Sequence, residues 1–407
     1  MDHIKPMDQN KEKIKRESDQ KDEPNIKNES KTKLVHGGDI YSARKALVGL
    51  PPGSVQDGSF VQAPRLLDFS ANINPLGLPA GVKAALAGAI EGFDIYPDPL
   101  CRDLIDNLAV YEEVPQEWLL CGNGAADLIF RMAYAIKPQK AMVLAPTFAE
   151  YEEALHAVSC EVIRYPLSAD SGFQADEGVI NALDQELDLL FLCNPNNPTG
   201  QLLSKEFLIR VLERCKELEI ILVVDECFNG FLEEPERYSI KDRIQDSRNL
   251  MILKAFTKTY AMAGLRLGYC LTSNGALLEA LREAGQPWSV STPAQIAGIQ
   301  AMKEQAYLAE SKKLIRQEQA YLINVLKESG MKVISASANY IFLFDPIPRE
   351  RPLHEQLMDS GILIRNCDNY HGLGPGYYRI CIRVHEDNKA LASALQHLSK
   401  HSISTSI

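Results

Sequence analysis

Between residues 118 and 275 the sequence alternates short apolar runs with stretches of helical periodicity, and this alternation restricts the possible folds more than any other feature. The apolar runs are residues 140–145, 161–165, 188–193, 219–224, 250–253 and 267–271, all of strand length. Between them lie segments such as 204–218, where Leu208, Val211, Leu212 and Cys215 recur at i, i+3, i+4 and i+7, so that one helical face is apolar. Strands that are apolar on both faces need cover on both faces, which predicts an α/β fold with a mainly parallel sheet between helices. Ligands of such sheets bind beyond the carboxyl ends of the strands.

The flanks read differently. Residues 1–34 have no aromatic residue, charges of both signs and almost no apolar periodicity, the composition of a disordered N-terminal extension. Residues 35–95 are rich in Gly and Pro and are expected to supply loops near a site and part of a smaller domain. Residues 96–295 form the large domain in this reading. Residues 296–407 form the smaller α+β domain, with helical periodicity over 294–328 and strand-like runs at 340–344, 362–365 and 378–384.

Composition removes some functions. The chain has 43 Lys plus Arg against 54 Asp plus Glu, a formal charge of -11, which disfavours binding to nucleic-acid phosphates or anionic lipid. Its nine cysteines are dispersed, with no CxxC pair and no Cys/His cluster, so reduced thiols and no metal site are expected. No run of 18 apolar residues occurs and the first 30 residues lack an apolar core. A soluble, cytoplasmic protein without span or signal peptide is the expectation.

Chemistry is concentrated where the apolar runs stop. Residues 189–192 give way to Cys193-Asn194-Pro195-Asn196-Asn197-Pro198-Thr199-Gly200, and 220–224 to Asp225-Glu226. Residues 250–253 lead into Lys254-Ala255-Phe256-Thr257-Lys258 and then Ala263-Gly264-Leu265-Arg266, while Leu119-Leu120-Cys121-Gly122-Asn123-Gly124-Ala125-Ala126 opens a helix. Each has an ordinary reading alone: a helix cap or ion pair for Asp225, a surface lysine for Lys258, a helix start for Gly124. Together, an anion-binding helix start, an amine, a guanidinium and a carboxylate at neighbouring strand ends point to a phosphate-bearing cofactor.

This set, with Pro146-Thr147-Phe148, resembles the fold-type I pyridoxal-phosphate enzymes, and within them the aspartate/histidinol-phosphate aminotransferase branch, from about His36 to the C-terminus. The resemblance implies pyridoxal 5'-phosphate held by Lys258 as a Schiff base, the lysine made nucleophilic by desolvation and nearby cations. It implies that Asp225 pairs with the pyridine nitrogen, Asn197 bonds the ring's phenolic oxygen and Phe148 stacks on the ring. Gly124, Ala125, Ala126, Thr257 and Arg266 would take the phosphate, joined by Tyr96 from the partner subunit of a homodimer. There are two departures from the pattern: Ala255 replaces a frequent Ser or Thr, and Phe228 a frequent Tyr.

His36-Gly37-Gly38, the run Asp68-Phe69-Ser70-Ala71-Asn72-Ile73-Asn74-Pro75-Leu76-Gly77 and the pair Arg379 and Arg383 are similar to a narrower group, the threonine-phosphate decarboxylases of cobalamin biosynthesis. Isolated, they would be a surface histidine, a loop and strand-edge arginines. The resemblance implies that His36, Gly37, Asn72, Asn197, Arg365 and Arg379 hold O-phospho-L-threonine, which loses CO2 to give 1-amino-2-propanol O-2-phosphate. A long insertion between Gly38 and Asp68 leaves O-phospho-L-serine open as a substrate, giving ethanolamine phosphate. The alternatives are an aminotransferase of the histidinol-phosphate type and a regulatory protein without turnover; the latter has no need of Lys258 beside Asp225 and Arg266.

Overall fold

The computed structural model describes residues 37–43, 55–56, 59–60 and 66–404. The N-terminal extension, His36 and the Pro51-Pro52-Gly53 insertion lie outside the described residues. The first strand used below is β1 (Leu67–Asp68). Seven strands form the large sheet: β2 (Leu119–Gly122), β3 (Lys140–Ala145), β4 (Glu161–Pro166), β5 (Leu189–Cys193), β6 (Ile221–Asp225), β7 (Leu250–Ala255) and β8 (Gly268–Leu271), in the order β2-β8-β7-β6-β5-β3-β4. Pairing is parallel from β4 through β7, and β8 runs antiparallel to both of its neighbours. The mainly parallel α/β sheet expected from the sequence is present.

Alternate residues of a strand point to opposite faces, and here they enter different cores. Leu190, Leu192, Leu222 and Val224 pack into one buried cluster, and Leu189, Phe191, Cys193 and Val223 into another. The helices covering the faces include α1 (Arg102–Glu112), α2 (Ala125–Ile136), α3 (Glu150–His156) and α4 (Lys205–Glu217). In α4, Leu208, Val211, Leu212 and Cys215 are all fully buried, as their spacing requires.

The helical periodicity of 294–328 resolves into two helices, α5 (Thr292–Ala301) and α6 (Gln305–Glu328). It reads as one because Ala297 and Ala301 before the break and Tyr307 and Leu308 after it pack on the same core. The Tyr307 hydroxyl then donates to Gly77 O at 2.7 Å, fixing α6 to the turn at 74–77.

A second, antiparallel sheet has the order β9-β10-β13-β12, from β9 (Lys332–Ser335), β10 (Tyr340–Phe344), β12 (Arg365–Asn366) and β13 (Tyr377–Cys381). The run at 362–365 is therefore not one strand. Ile362–Leu363, β11, pairs in parallel with β1, and after the buried Ile364 the chain changes sheets so that Arg365 pairs with Arg379. Helix α7 (His385–Ser404) follows. Among the described residues no helix is long and apolar enough to cross a membrane, and no group of three His, Cys, Asp or Glu residues could hold a metal ion.

Strand β7 is anchored by a buried charge cluster. The Glu112 carboxylate, at the end of α1, accepts from Lys254 Nζ at 3.0 Å, from Lys241 Nζ at 3.0 Å and from the Tyr269 hydroxyl. Burial raises the Glu112 pKa, but the two ammonium groups and the hydroxyl outweigh it and hold the carboxyl at about 2. A depressed carboxylate pKa stabilises the fold above the unfolded value of 4.5 and loses that contribution as pH falls toward about 2. Glu112→Gln should therefore lower unfolding free energy by about 3–5 kcal/mol at pH 7, the cost of leaving buried ammonium groups uncompensated. Urea melts of both proteins between pH 7 and 2 check this: the difference should shrink through the acid range.

Candidate functional site

The carboxyl ends of β3, β5, β6 and β7 and the turn after β2 open onto a cavity of about 210 Å³. Gly37, Asn72, Ala125, Ala126, Phe148, Asn197, Asp225, Thr257, Lys258, Arg266 and Arg379 all line it, so most of the residues named from sequence meet in one place. Gly124 adjoins this wall as the residue before α2.

Lys258 lies in a single turn, Phe256–Thr259, directly after β7. Burial depresses its pKa, and the Arg379 and Arg266 guanidinium groups add to the effect against the opposing pull of Cys227 and Glu150. The result is an amine that gives up its proton readily, the condition for a nucleophilic lysine. Asp225 ends β6 and is buried. Its Oδ2 accepts from the Tyr151 hydroxyl at 2.6 Å and its Oδ1 from Cys227 N–H at 2.9 Å. Each oxygen retains a lone pair for a donor in the cavity. Glu226, the next residue, belongs to the opposite side of β7, where its buried carboxylate lies 4.0 Å from Lys254. Desolvation pushes that carboxyl up to about 7.

An anion cradle forms at the start of α2. This helix has no side-chain cap; its N-cap, Gly124, has φ +82°, and Asn123 N–H turns back to Asp127 Oδ2 at 2.8 Å. The first-turn N–H groups at Ala125 and Ala126 thus face the cavity beside Thr257 and the Arg266 guanidinium. Arg266 itself adopts φ +62°, a conformation costly for a side-chain-bearing residue and typical of functional positions. A Cβ on Gly124 would stand 2.7 Å from Arg266 Nη2, and one on Gly268 would stand 2.5 Å from Ala125 N. Glycine at both positions lets loop, strand and guanidinium approach closely.

On the far side of the cavity, Arg379 donates to Ser70 O at 2.6 Å and to Asn197 Oδ1, with its guanidinium 5.7 Å above the Tyr340 ring. This leaves the Asn197 NH2 group for the cavity. Gly37 is required because a Cβ there would lie 2.2 Å from Ser70 O and 3.3 Å from Arg379 Nη2. Asn72 is buried, and neither Oδ1 nor Nδ2 has a hydrogen-bond partner among the described residues. A buried amide left unmatched in a cavity wall is the mark of a group that meets a ligand.

Three expectations fare differently. Arg365 does not line the cavity: its Nη2 donates to Asn369 Oδ1 at 2.8 Å and its guanidinium lies 5.1 Å over the Tyr370 ring, with Tyr370 between it and the cavity. Arg383, the second arginine of the RxxxR pair, is a structural tie. It donates to Asp387 Oδ2 and Asp68 O, both within 3.0 Å, and lies over Phe69. Tyr96, expected to serve a partner subunit, is 77% exposed and packs at a tilt on Trp288 with ring centres 4.8 Å apart; it does not line its own chain's cavity.

The sequence reading also missed residues. Glu150 and Tyr370 line the cavity, as does Phe228, the noted departure from Tyr, and burial pushes the Glu150 carboxyl up to about 7. Tyr151 supports Asp225. The only signal for Glu150 and Tyr151 was their position just after Pro146-Thr147-Phe148, at the mouth of a strand.

The residues present fit a phosphate-bearing pyridine. The cradle at α2 would take a phosphate, Asp225 a ring N–H and Lys258 an aldehyde carbon, while Asn197 would offer donors to a ring oxygen and Phe148 a face.

Comparison with known proteins places the chain in one family and fold. The model of the family "Aminotransferase class I and II" matches residues 64–398. The threonine-phosphate decarboxylase of Salmonella typhimurium is 38% identical over 366 residues, covering 89% of this chain and 96% of that protein. The crystal structure of histidinol-phosphate aminotransferase from Clostridium acetobutylicum is 30% identical with a TM-score of 0.77, covering 83% of this chain and 100% of that one. Histidinol-phosphate aminotransferase from Sinorhizobium meliloti, solved in complex with pyridoxal-5'-phosphate, has the same fold at 22% identity, with a TM-score of 0.76 over 89% of this chain and 94% of that one.

The cradle yields a direct test. Gly124→Ala places a methyl group against Arg266 and forces a positive φ, and it should destabilise the fold by about 1–2 kcal/mol. It should also weaken binding of inorganic phosphate by about ten-fold through the displaced guanidinium. Thermal melts and calorimetric titration with phosphate measure the two effects.

Proposed function

The chain belongs to the aminotransferase class I and II family, and on that basis we propose that it uses pyridoxal 5'-phosphate to decarboxylate O-phospho-L-threonine, giving 1-amino-2-propanol O-2-phosphate and CO2. The observation that carries the choice of substrate is the pairing of Arg365 directly opposite Arg379 between β12 and β13. Like charges facing one another across a ladder are destabilising. A substrate with two anionic ends, a carboxylate and a phosphate, offers each guanidinium a fork-shaped acceptor and relieves that repulsion. The similarity to the Salmonella decarboxylase over nearly its whole length supports the same reading.

Bound pyridoxal phosphate supplies an aldehyde that condenses with amines and a protonated ring that withdraws electrons from the substrate's Cα. The chain's residues do the rest. Lys258 Nζ, its pKa lowered by burial and the neighbouring guanidinium groups, would hold the cofactor's aldehyde carbon, and as a free amine it would take the proton of the incoming substrate ammonium and return a proton to Cα after CO2 has left. Asp225 keeps the proton on the pyridine nitrogen, and Phe148 covers one ring face. Arg379, already bonded to Ser70 O and Asn197, receives one anionic end, while Asn72 and Gly37 close the wall around it. Arg365 takes the other end by turning from the Tyr370 face toward the cavity. The reading also assigns His36, outside the described residues, to the substrate.

The reading includes a homodimer. Ile90, Ile95, Tyr96, Leu100 and Trp288 are exposed, Tyr96 packing on Trp288, and in this reading a second copy covers them and receives Tyr96 at its phosphate cradle.

Purified holoenzyme incubated with carboxyl-labelled O-phospho-L-threonine should release labelled CO2 without any keto acid, faster than it does from O-phospho-L-serine. Glutamate formation from 2-oxoglutarate and histidinol phosphate, without CO2 from either phosphoamino acid, would sink the decarboxylase in favour of an aminotransferase. Lys258→Ala should lose the borohydride-sensitive visible band of the bound cofactor and all turnover. A band that survives places the reactive amine elsewhere.

A further inference from the structure

Tyr151 is fully buried on α3, and its contacts reach two separate walls of the cavity. Its hydroxyl donates to Asp225 Oδ2 at 2.6 Å. Its ring stacks flat on Phe191 of β5, with centroids 4.7 Å apart and planes 6° from parallel, and meets Phe148 edge-on at 5.5 Å. Phe148 and Asp225 both line the cavity; Tyr151 does not. The residue therefore stands behind the site and touches both the aromatic face and the acidic end of it.

We infer that Tyr151 is a positioning residue that sets the direction of the Asp225 carboxylate and the distance between that carboxylate and the Phe148 ring, so that a pyridine ring meets both at once. This rests on the cofactor reading given above. A carboxylate has two torsions to fix. Cys227 N–H holds one oxygen and the Tyr151 hydroxyl the other, so the plane is determined and one lone pair of each oxygen is directed outward. With the Cys227 N–H alone the group is free to turn about that bond. The aromatic stack gives the hydroxyl its own fixed origin, because Phe191 belongs to the strand beside β6, on which Asp225 stands. Phe148, packed edge-on against the same ring, is held at a set height above the strand ends. Burial raises the Tyr151 phenol well above its ordinary range, so it remains a donor wherever the protein is folded.

The test uses the full chain, freed of cofactor and titrated with pyridoxal 5'-phosphate, followed by absorbance and tyrosine or tryptophan fluorescence. Tyr151→Phe retains the ring and removes only the hydroxyl. It should raise the cofactor's dissociation constant about ten-fold or more, the effect of losing one charge-assisted hydrogen bond. In the decarboxylation assay it should lower kcat with little change in KM. Phe191→Leu keeps the hydroxyl and removes the stacked partner. It should lower the thermal midpoint more than Tyr151→Phe does and change cofactor affinity less. Tyr151→Phe with wild-type affinity and wild-type kcat, whatever its melting point, overturns the assignment and leaves Tyr151 as core packing. Wild-type protein that takes up no pyridoxal phosphate removes the functional reading, and this assignment with it; the two failures are thus told apart by the wild-type titration.

Discussion

The site depends on keeping an amine and a carboxylate out of water, close together, without letting them neutralise each other. Strand register does most of this. Asp225 is the last residue of β6 and lies opposite Leu253 of β7, so Lys258 stands five positions beyond it, lifted off the sheet by the single turn Phe256–Thr259. Each group then receives partners of its own. Asp225 is given a hydroxyl and a backbone N–H, which fix its carboxylate in place. Lys258 is given cationic neighbours, Arg379 and Arg266, which with burial stabilise its neutral form. An ion pair between the two would have been locally favourable and chemically inert.

A second charged network behind β7 makes that separation durable. Asp225 and Glu226 are adjacent in sequence, yet one faces the cavity and the other faces the cluster of Glu112, Lys241 and Lys254. Lys254, four residues before Lys258, ties β7 to the end of α1 through Glu112. The strand that presents the reactive lysine is therefore fixed from its rear face by groups that never meet a ligand in the front cavity. Cys227 and Ala255 are shared walls of the two compartments, so the front wall cannot move without disturbing a buried ion cluster.

How much of this was legible in the sequence follows from what each feature depends on. The large sheet was legible because its strands are uniformly apolar and end on abrupt polarity changes, and those changes placed Asp225, Lys258 and the Gly124 turn at strand ends. The second sheet was less so. An apolar run such as 362–365 carries no record of which neighbour it pairs with, and here it divides between β1 and β13. Arg383 looked equivalent to Arg379 because both are arginines on one apparent strand. They lie on opposite sides of the strand's end, though, and Asp387 at the start of α7 captures Arg383. Tyr151 was invisible because an aromatic residue on a short helix reads as core, and its hydroxyl's target is 74 residues away.

The features that hold the cofactor are those that a decarboxylase and an aminotransferase of this family would share, so the choice of bond cannot reside in them. It must reside in the arms that hold the substrate, since these set which bond at Cα stands perpendicular to the ring. In the proposed reading those arms come from one place: β12 and β13, where Arg365 pairs with Arg379, and the turn at Asn369-Tyr370 on which Arg365 rests. Arg379 is locked to Asn197, which in that reading would also meet the cofactor's ring oxygen, so its position is set by the shared scaffold. Arg365 is held from the other side by the Asn369 amide oxygen and the Tyr370 face, so in the proposed reading a bidentate anion has to outcompete both before this guanidinium reaches the cavity. On the same reading Arg379 orients Cα and Arg365 meets what lies beyond it, so the far anionic group of the substrate would decide the reaction.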